Sequence, residues 1–185
     1  MPLPRERIYT VDDIYALPDG FRAELIDGKI YDMAPPSTRH QDISMALSTI
    51  IDSYISSNKG NCKVYAAPFA VFLNDNDTNY IEPDISIICD KSKIDDDGCH
   101  GAPDFIIEIV SPSSRRMDYS IKQFKYCDAG VKEYWIVDPS RETITVYNYQ
   151  KDEAPLIYRF TDVIKVHIYD DFYIDFGKLS ERINS

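Results

Sequence analysis

Phe105-Ile106-Ile107-Glu108-Ile109-Val110, bounded by Pro103-Asp104 and by Ser111-Pro112-Ser113, is the stretch that decides the fold. It is apolar at odd and even positions alike except at its charged residues, which predicts a strand in a sheet covered on both faces. Ser111-Pro112-Ser113 breaks the strand and supplies a cap for a helix over residues 115–128. Met117, Ile121 and Phe124 make the expected buried stripe of that helix, and Gly130 ends it.

Upstream, residues 23–33 read as a hairpin, two apolar-rich strands around Asp27-Gly28, a dipeptide suited to a two-residue turn. Pro35-Pro36 ends the hairpin, and Thr38 and Gln41 have capping-box spacing at the start of a helix. Ile43, Leu47, Ile50, Ile51, Tyr54 and Ile55 recur at helical spacing until Asn58-Lys59-Gly60 stops them. Residues 62–73 and 80–89 are β-rich runs on either side of a polar loop, and 91–101 is an acidic loop. Downstream, strands are expected at 133–137 and 143–149, with short strands over 156–176 before a C-terminal helical turn. This alternation defines an α/β (α+β) fold around a mixed sheet, in one domain over residues 1–185.

The chain carries 20 Lys+Arg against 31 Asp+Glu, a net charge of −11. That argues against a protein that coats nucleic acid non-specifically, which draws on clustered positive charge. An enzyme with a local basic strip is still allowed. At 44 % hydrophobic residues, the chain has enough apolar material to bury a core. No run approaches the ~20 apolar residues of a membrane helix. Residues 1–10 lack the apolar centre of a signal peptide, so the cytoplasm is the expected location. Cys62, Cys89, Cys99 and Cys127 are scattered, without zinc spacing or the density of a disulfide scaffold. Free thiols are expected.

Asp84 and Glu108 are carboxylates where strands should be apolar. Asp84 interrupts Ile81-Glu82-Pro83-Asp84-Ile85-Ser86-Ile87-Ile88, and Glu108 lies inside the run quoted first. An ionised carboxylate taken out of water needs a cation. Two on neighbouring strands, facing one side, make a site for a hard divalent ion; a buried Arg or Lys pairing with Glu108 is the other reading. Period-two alternation places Asp104, Ile106, Glu108 and Val110 on one face.

A basic stretch follows. Between Ile109 and Lys132 stand Arg115, Arg116, Lys122, Lys125 and Lys132 against Asp118 and Asp128, which is 5 − 2 = +3 in a chain of −11. A positive patch beside two carboxylates suits an anionic, metal-dependent substrate such as a phosphodiester. Lys122 also lies four residues after Asp118, the spacing of a surface ion pair on a helix.

Pro83-Asp84, followed after 23 residues by Glu108-Ile109-Val110, resembles the pattern of the PD-(D/E)XK nuclease superfamily. More specifically, the chain resembles the Uma-two family of restriction endonucleases. The resemblance runs through Glu24-Leu25-Ile26-Asp27-Gly28, Pro35-Pro36, His40, Pro103-Asp104-Phe105-Ile106-Ile107-Glu108 and Ser111-Pro112-Ser113. It continues through Asp118, Lys122, Tyr126, Ala129-Gly130-Val131 and Glu133-Tyr134-Trp135-Ile136-Val137-Asp138-Pro139. It implies a restriction-endonuclease-like core, a mixed sheet flanked by helices. It also implies that Asp84 and Glu108 bind Mg²⁺, or Mn²⁺ in its place, with the Ile109 carbonyl as third protein ligand and Glu24 as an accessory acid. The motif lysine should stand at 110, where this chain has Val110; the matching position is Lys122 in the next helix. His40 and Tyr126 match family positions without an assigned role.

The expected reaction is metal-dependent hydrolysis of a phosphodiester in nucleic acid, DNA in the first instance. Lys122 would orient the attacking water and offset charge on the phosphoryl oxygens. Arg115 and Arg116 would hold the backbone by phosphate contacts. The alternative is a non-catalytic nucleic-acid or protein interaction domain that keeps the fold. Whether the chain forms a homodimer is open at this stage.

Overall fold

The computed structural model describes residues 7–74, 76–151 and 153–184. Residues 1–6, part of the charged N-terminal stretch read above, lie outside the described residues. A one-turn helix, α1 (Val11–Tyr15), leads into the hairpin β1 (Ala23–Ile26) and β2 (Lys29–Asp32). Asp27 and Gly28 turn the hairpin with φ of 50° and 71°, the positive pair that a twisted two-residue turn requires. A Cβ at Gly28 would also meet the Ile8 side chain at 2.5 Å.

The helix α2 (Thr38–Ser57) buries Ile43, Ala46, Leu47, Ile51 and Ile55. Its cap is Ser37, whose side chain accepts from His40 N, and not the Thr38–Gln41 pair. The 62–73 run divides at Pro68 into β3 (Lys63–Ala66) and β4 (Val71–Phe72), because proline has no N–H for a ladder. For the same reason the 80–89 run is strand only beyond Pro83, as β5 (Ile85–Ile88). Tyr80 and Ile81 instead bridge to Leu25 and Val71, tying the hairpin to β4. The acidic loop contains a short strand, β6 (Cys99–His100), parallel to β4.

The decisive run is β7 (Phe105–Ile109), buried throughout. Residues 117–122 then form a π-helical turn that continues as α3 (Gln123–Ala129). Next come β8 (Glu133–Asp138), β9 (Thr143–Asn148), β10 (Leu156–Arg159), β11 (Val163–Lys165), β12 (Tyr173–Asp175) and the helix α4 (Phe176–Asn184). The expected C-terminal turn is thus a helix of 9 residues.

Six strands form the central sheet in the order β10-β9-β8-β7-β5-β3. Only β7 and β8 run parallel; the other pairs are antiparallel. Alternation splits β7 between two cores. Phe105, Ile107 and Ile109 join Ile85, Ile87, Trp135 and the buried face of α2. Ile106 and Val110 join Ile88, Ile136, Tyr126 and Val131 on the other side. A sheet buried on both faces is what the continuous apolar run predicts.

Two expectations are corrected. The helix over 115–128 does not bury the Met117–Ile121–Phe124 stripe: Phe124 is 63 % exposed, and Met117 and Ile121 are only partly buried. Its inward face carries Asp118, Lys122 and Tyr126. The i→i+5 turn is a wider coil than an α-turn, and the carboxylates beneath it supply partners for a buried lysine. Second, Cys62 and Cys89 form a disulfide, while Cys99 and Cys127 are free. The β3–β5 register pairs Lys63 with Ile88, so Cys62 and Cys89, 27 residues apart, meet across the strand ends. No described helix is long and apolar enough to cross a membrane.

Candidate active site

The antiparallel register of β5 and β7 pairs Ile85 with Ile107. One step further, Asp84 stands across from Glu108, and both line a cavity of about 640 Å³. The hairpin brings in Glu24 from β1, and the π-turn brings in Asp118 and Lys122; all five line the cavity. Asp84 and Glu108 therefore face each other across β5 and β7, Glu24 and Lys122 join them, and Glu108 has the buried lysine partner of the other reading.

The lysine is the hub. Lys122 Nζ donates to Glu24 Oε1 at 2.9 Å and to Glu108 Oε1 at 3.0 Å, and lies 4.0 Å from Asp118 Oδ1. Lys122 is 4 % exposed, so the exposed surface pair with Asp118 is not what forms. Tyr126 donates its hydroxyl to Glu108 Oε1 at 2.6 Å. Glu24 Oε1 also accepts Glu82 N at 3.0 Å. Asp84 Oδ2 accepts Ile109 N at 2.7 Å and faces His40 Nε2 at 3.1 Å.

Charge follows from this packing. Burial alone lowers the Lys122 pKa, but Glu108, Glu24 and Asp118 outweigh it and hold the ammonium well above its ordinary value. Lys122 is a fixed positive charge, not a base. Burial raises Glu108 well above the usual carboxylate range; Lys122 opposes this, and Asp84, Asp118 and Glu24 add to it. Burial likewise lifts Asp118 to about 6. Three carboxylates around one lysine, with Asp84 across from Glu108, leave the cluster short of positive charge. That is an environment suited to a cation and typical of functional sites.

The donor set fits a hard divalent ion. Each of Asp84, Glu108 and Glu24 is anchored through one oxygen; Asp84 Oδ1, Glu108 Oε2 and Glu24 Oε2 accept no hydrogen bond from a described residue. Among the described residues, no group of three or more His, Cys, Asp or Glu side chains is placed to hold a metal ion. Mg²⁺ does not need such a group, since it keeps several waters and binds through one or two carboxylates plus substrate oxygens.

The basic strip is divided. Arg115 grips the fully buried Asp138 with two nitrogens, and its Nη2 also donates to Ser140 Oγ at 2.7 Å. Arg116 is exposed. Neither lines the cavity, whereas Arg22 and Arg39 do. Arg22 pairs with Glu82, and Arg39 reaches Glu142 at 3.4 Å. Nothing in the sequence spacing marks Arg22; Arg39 is marked only by its place beside His40.

The sheet order and flanking helices define a restriction-endonuclease-like nuclease fold. The chain belongs to the Uma2 family, described as "putative restriction endonuclease", whose model matches residues 11–169. It is 28 % identical over 138 residues to "Uncharacterized protein slr1290" of Synechocystis sp., covering 74 % of this chain and 71 % of that protein. It also resembles the crystal structure of a "putative nuclease belonging to DUF820" from Anabaena variabilis. The TM-score is 0.76 at 20 % identity, over 94 % of this chain and 98 % of that one.

Proposed function

We propose that this protein is an endonuclease that hydrolyses phosphodiester bonds in DNA with a divalent cation, Mg²⁺ or Mn²⁺. The observation that carries the reading is Lys122 Nζ held between Glu24 and Glu108, in a cavity that Asp84 also lines. Asp84, Glu108 and the Ile109 carbonyl would hold the cation, and Glu24 would be the accessory acid. A cation bound there polarises the scissile phosphate and lowers the pKa of an attacking water.

The protein's own groups do the rest. Lys122, kept protonated by its carboxylates, orients the water and offsets charge that develops on the phosphoryl oxygens. Glu24 and Glu108 restrain the ammonium so that little reorganisation is needed. Arg116, exposed at the start of the π-helical turn, contacts the nucleic-acid backbone without reading sequence.

Cleavage of plasmid and of single- and double-stranded oligonucleotides, in Mg²⁺, Mn²⁺ or EDTA, tests this. Cleavage by wild type, lost in EDTA and in Asp84→Ala or Glu108→Gln, is the expected result. DNA binding without cleavage under every condition would instead identify a non-catalytic domain on a nuclease fold.

A further inference from the structure

Two donors from different elements converge on one oxygen of Asp84. Ile109 N belongs to β7 and donates to Oδ2 at 2.7 Å. His40 Nε2, in the first turn of α2, lies 3.1 Å from the same atom. A carboxylate oxygen offers the imidazole only lone pairs, so Nε2 carries the proton of this contact. The placement of His40 is itself built: Ser37 accepts from His40 N at 3.2 Å, and the His40 side chain is 13 % exposed.

The other ring nitrogen is the informative one. Nδ1 is buried with no hydrogen-bond partner among the described residues. An unpaired buried polar atom is a cost that cores usually avoid. A side chain retained for packing alone would serve better without that nitrogen. What His40 supplies is the contact of Nε2 with Asp84, beside the Ile109 backbone that the ring also meets.

We propose that His40 is a positioning residue that, with the Ile109 amide, clamps the Asp84 carboxylate through Oδ2 so that Oδ1 is presented to the divalent cation. This rests on Asp84 being a metal ligand, as argued above. Partners hydrogen-bonded to a ligating carboxylate set its orientation, and their loss typically weakens metal binding about 10- to 100-fold. His40 acts through Asp84; it is not itself a ligand and takes no part in proton transfer.

Calorimetric titration of the full chain with Mn²⁺ tests the proposal, using wild type, His40→Ala and His40→Gln. Glutamine offers an N–H donor at a similar reach. The expected result is Mn²⁺ affinity weakened about 10- to 100-fold in His40→Ala and largely recovered in His40→Gln, with similar metal-free melting of the two variants. His40→Phe keeps the ring volume without a donor and carries the comparison if the truncated variant does not fold. Wild-type affinity in His40→Ala or His40→Phe would overturn the proposal. So would a folded His40→Gln that binds as weakly as the donor-free variant. A wild type that binds no Mn²⁺ would overturn the metal reading itself, and is seen before any substitution is made.

Discussion

Lys122 donates to Glu108 Oε1 at 3.0 Å, sharing that oxygen with the Tyr126 hydroxyl. The two residues are 14 apart in sequence, and the helix after β7 must fold back over the sheet to join them. One side chain therefore has two duties: it neutralises buried carboxylates in the resting protein and supplies the positive charge of the proposed reaction.

Those duties separate in variants of Lys122. Lys122→Ala and Lys122→Arg are both expected to lose cleavage by roughly two orders of magnitude, as for removal of a charge-stabilising donor. A planar guanidinium does not replace a compact ammonium. Lys122→Ala should also lower metal-free stability by about 3–5 kcal/mol, because it strands buried carboxylates. Lys125→Ala is the control: Lys125 pairs with Asp27 on the hairpin turn and should cut normally. Full activity in Lys122→Ala would remove the lysine from the mechanism.

Asp118 gives a pH signature. Its pKa rises from 3.8 to about 6 in the folded state, mainly through burial. The folded protein holds that proton more tightly than the unfolded chain, so ionisation between about pH 4 and pH 6 works against folding. Stability attributable to this group falls as pH rises through that window. Asp118→Asn should match wild type near pH 4 and exceed it by up to about 3 kcal/mol above pH 7, at roughly 1.4 kcal/mol per unit. Urea denaturation in EDTA at several pH values measures the difference, and a pH-independent difference would contradict the assignment.

Arg115 and Arg116 should part company. Removing Arg115 leaves the buried Asp138 with Oδ1 bonds from Ser140 N, Ser140 Oγ and Arg141 N but, among the described residues, no cation nearer than Arg141 at 3.9 Å, a loss of about 1–3 kcal/mol. Arg116→Glu should leave melting unchanged, yet weaken DNA binding for all sequences and flatten its salt dependence. Titration of labelled duplex at several salt concentrations, beside thermal melts, distinguishes the two roles.

Local pattern was enough for the elements that rest on neighbours in sequence. The apolar run 104–110, the Asp27-Gly28 turn, the α2 periodicity and the Gly130 stop each depend on backbone preferences or on period-two and period-3.6 burial. Asp84 and Glu108 were legible for the same reason, since a charge inside such a run is an anomaly visible without coordinates. Ordered motif residues extended that reading to Glu24 and Lys122. Their convergence, the Cys62–Cys89 bridge, the contact of His40 with Asp84 and the pairing of half-buried Arg115 with the buried Asp138 are matters of tertiary structure. They depend on which strands become neighbours and on how a wide π-turn rotates the helix. A stripe of Met117, Ile121 and Phe124 looked like the buried face because apolar spacing favours it. The carboxylates of β1 and β7 offered Asp118, Lys122 and Tyr126 a charged and hydrogen-bonded interior instead, and those residues lie far from them along the chain.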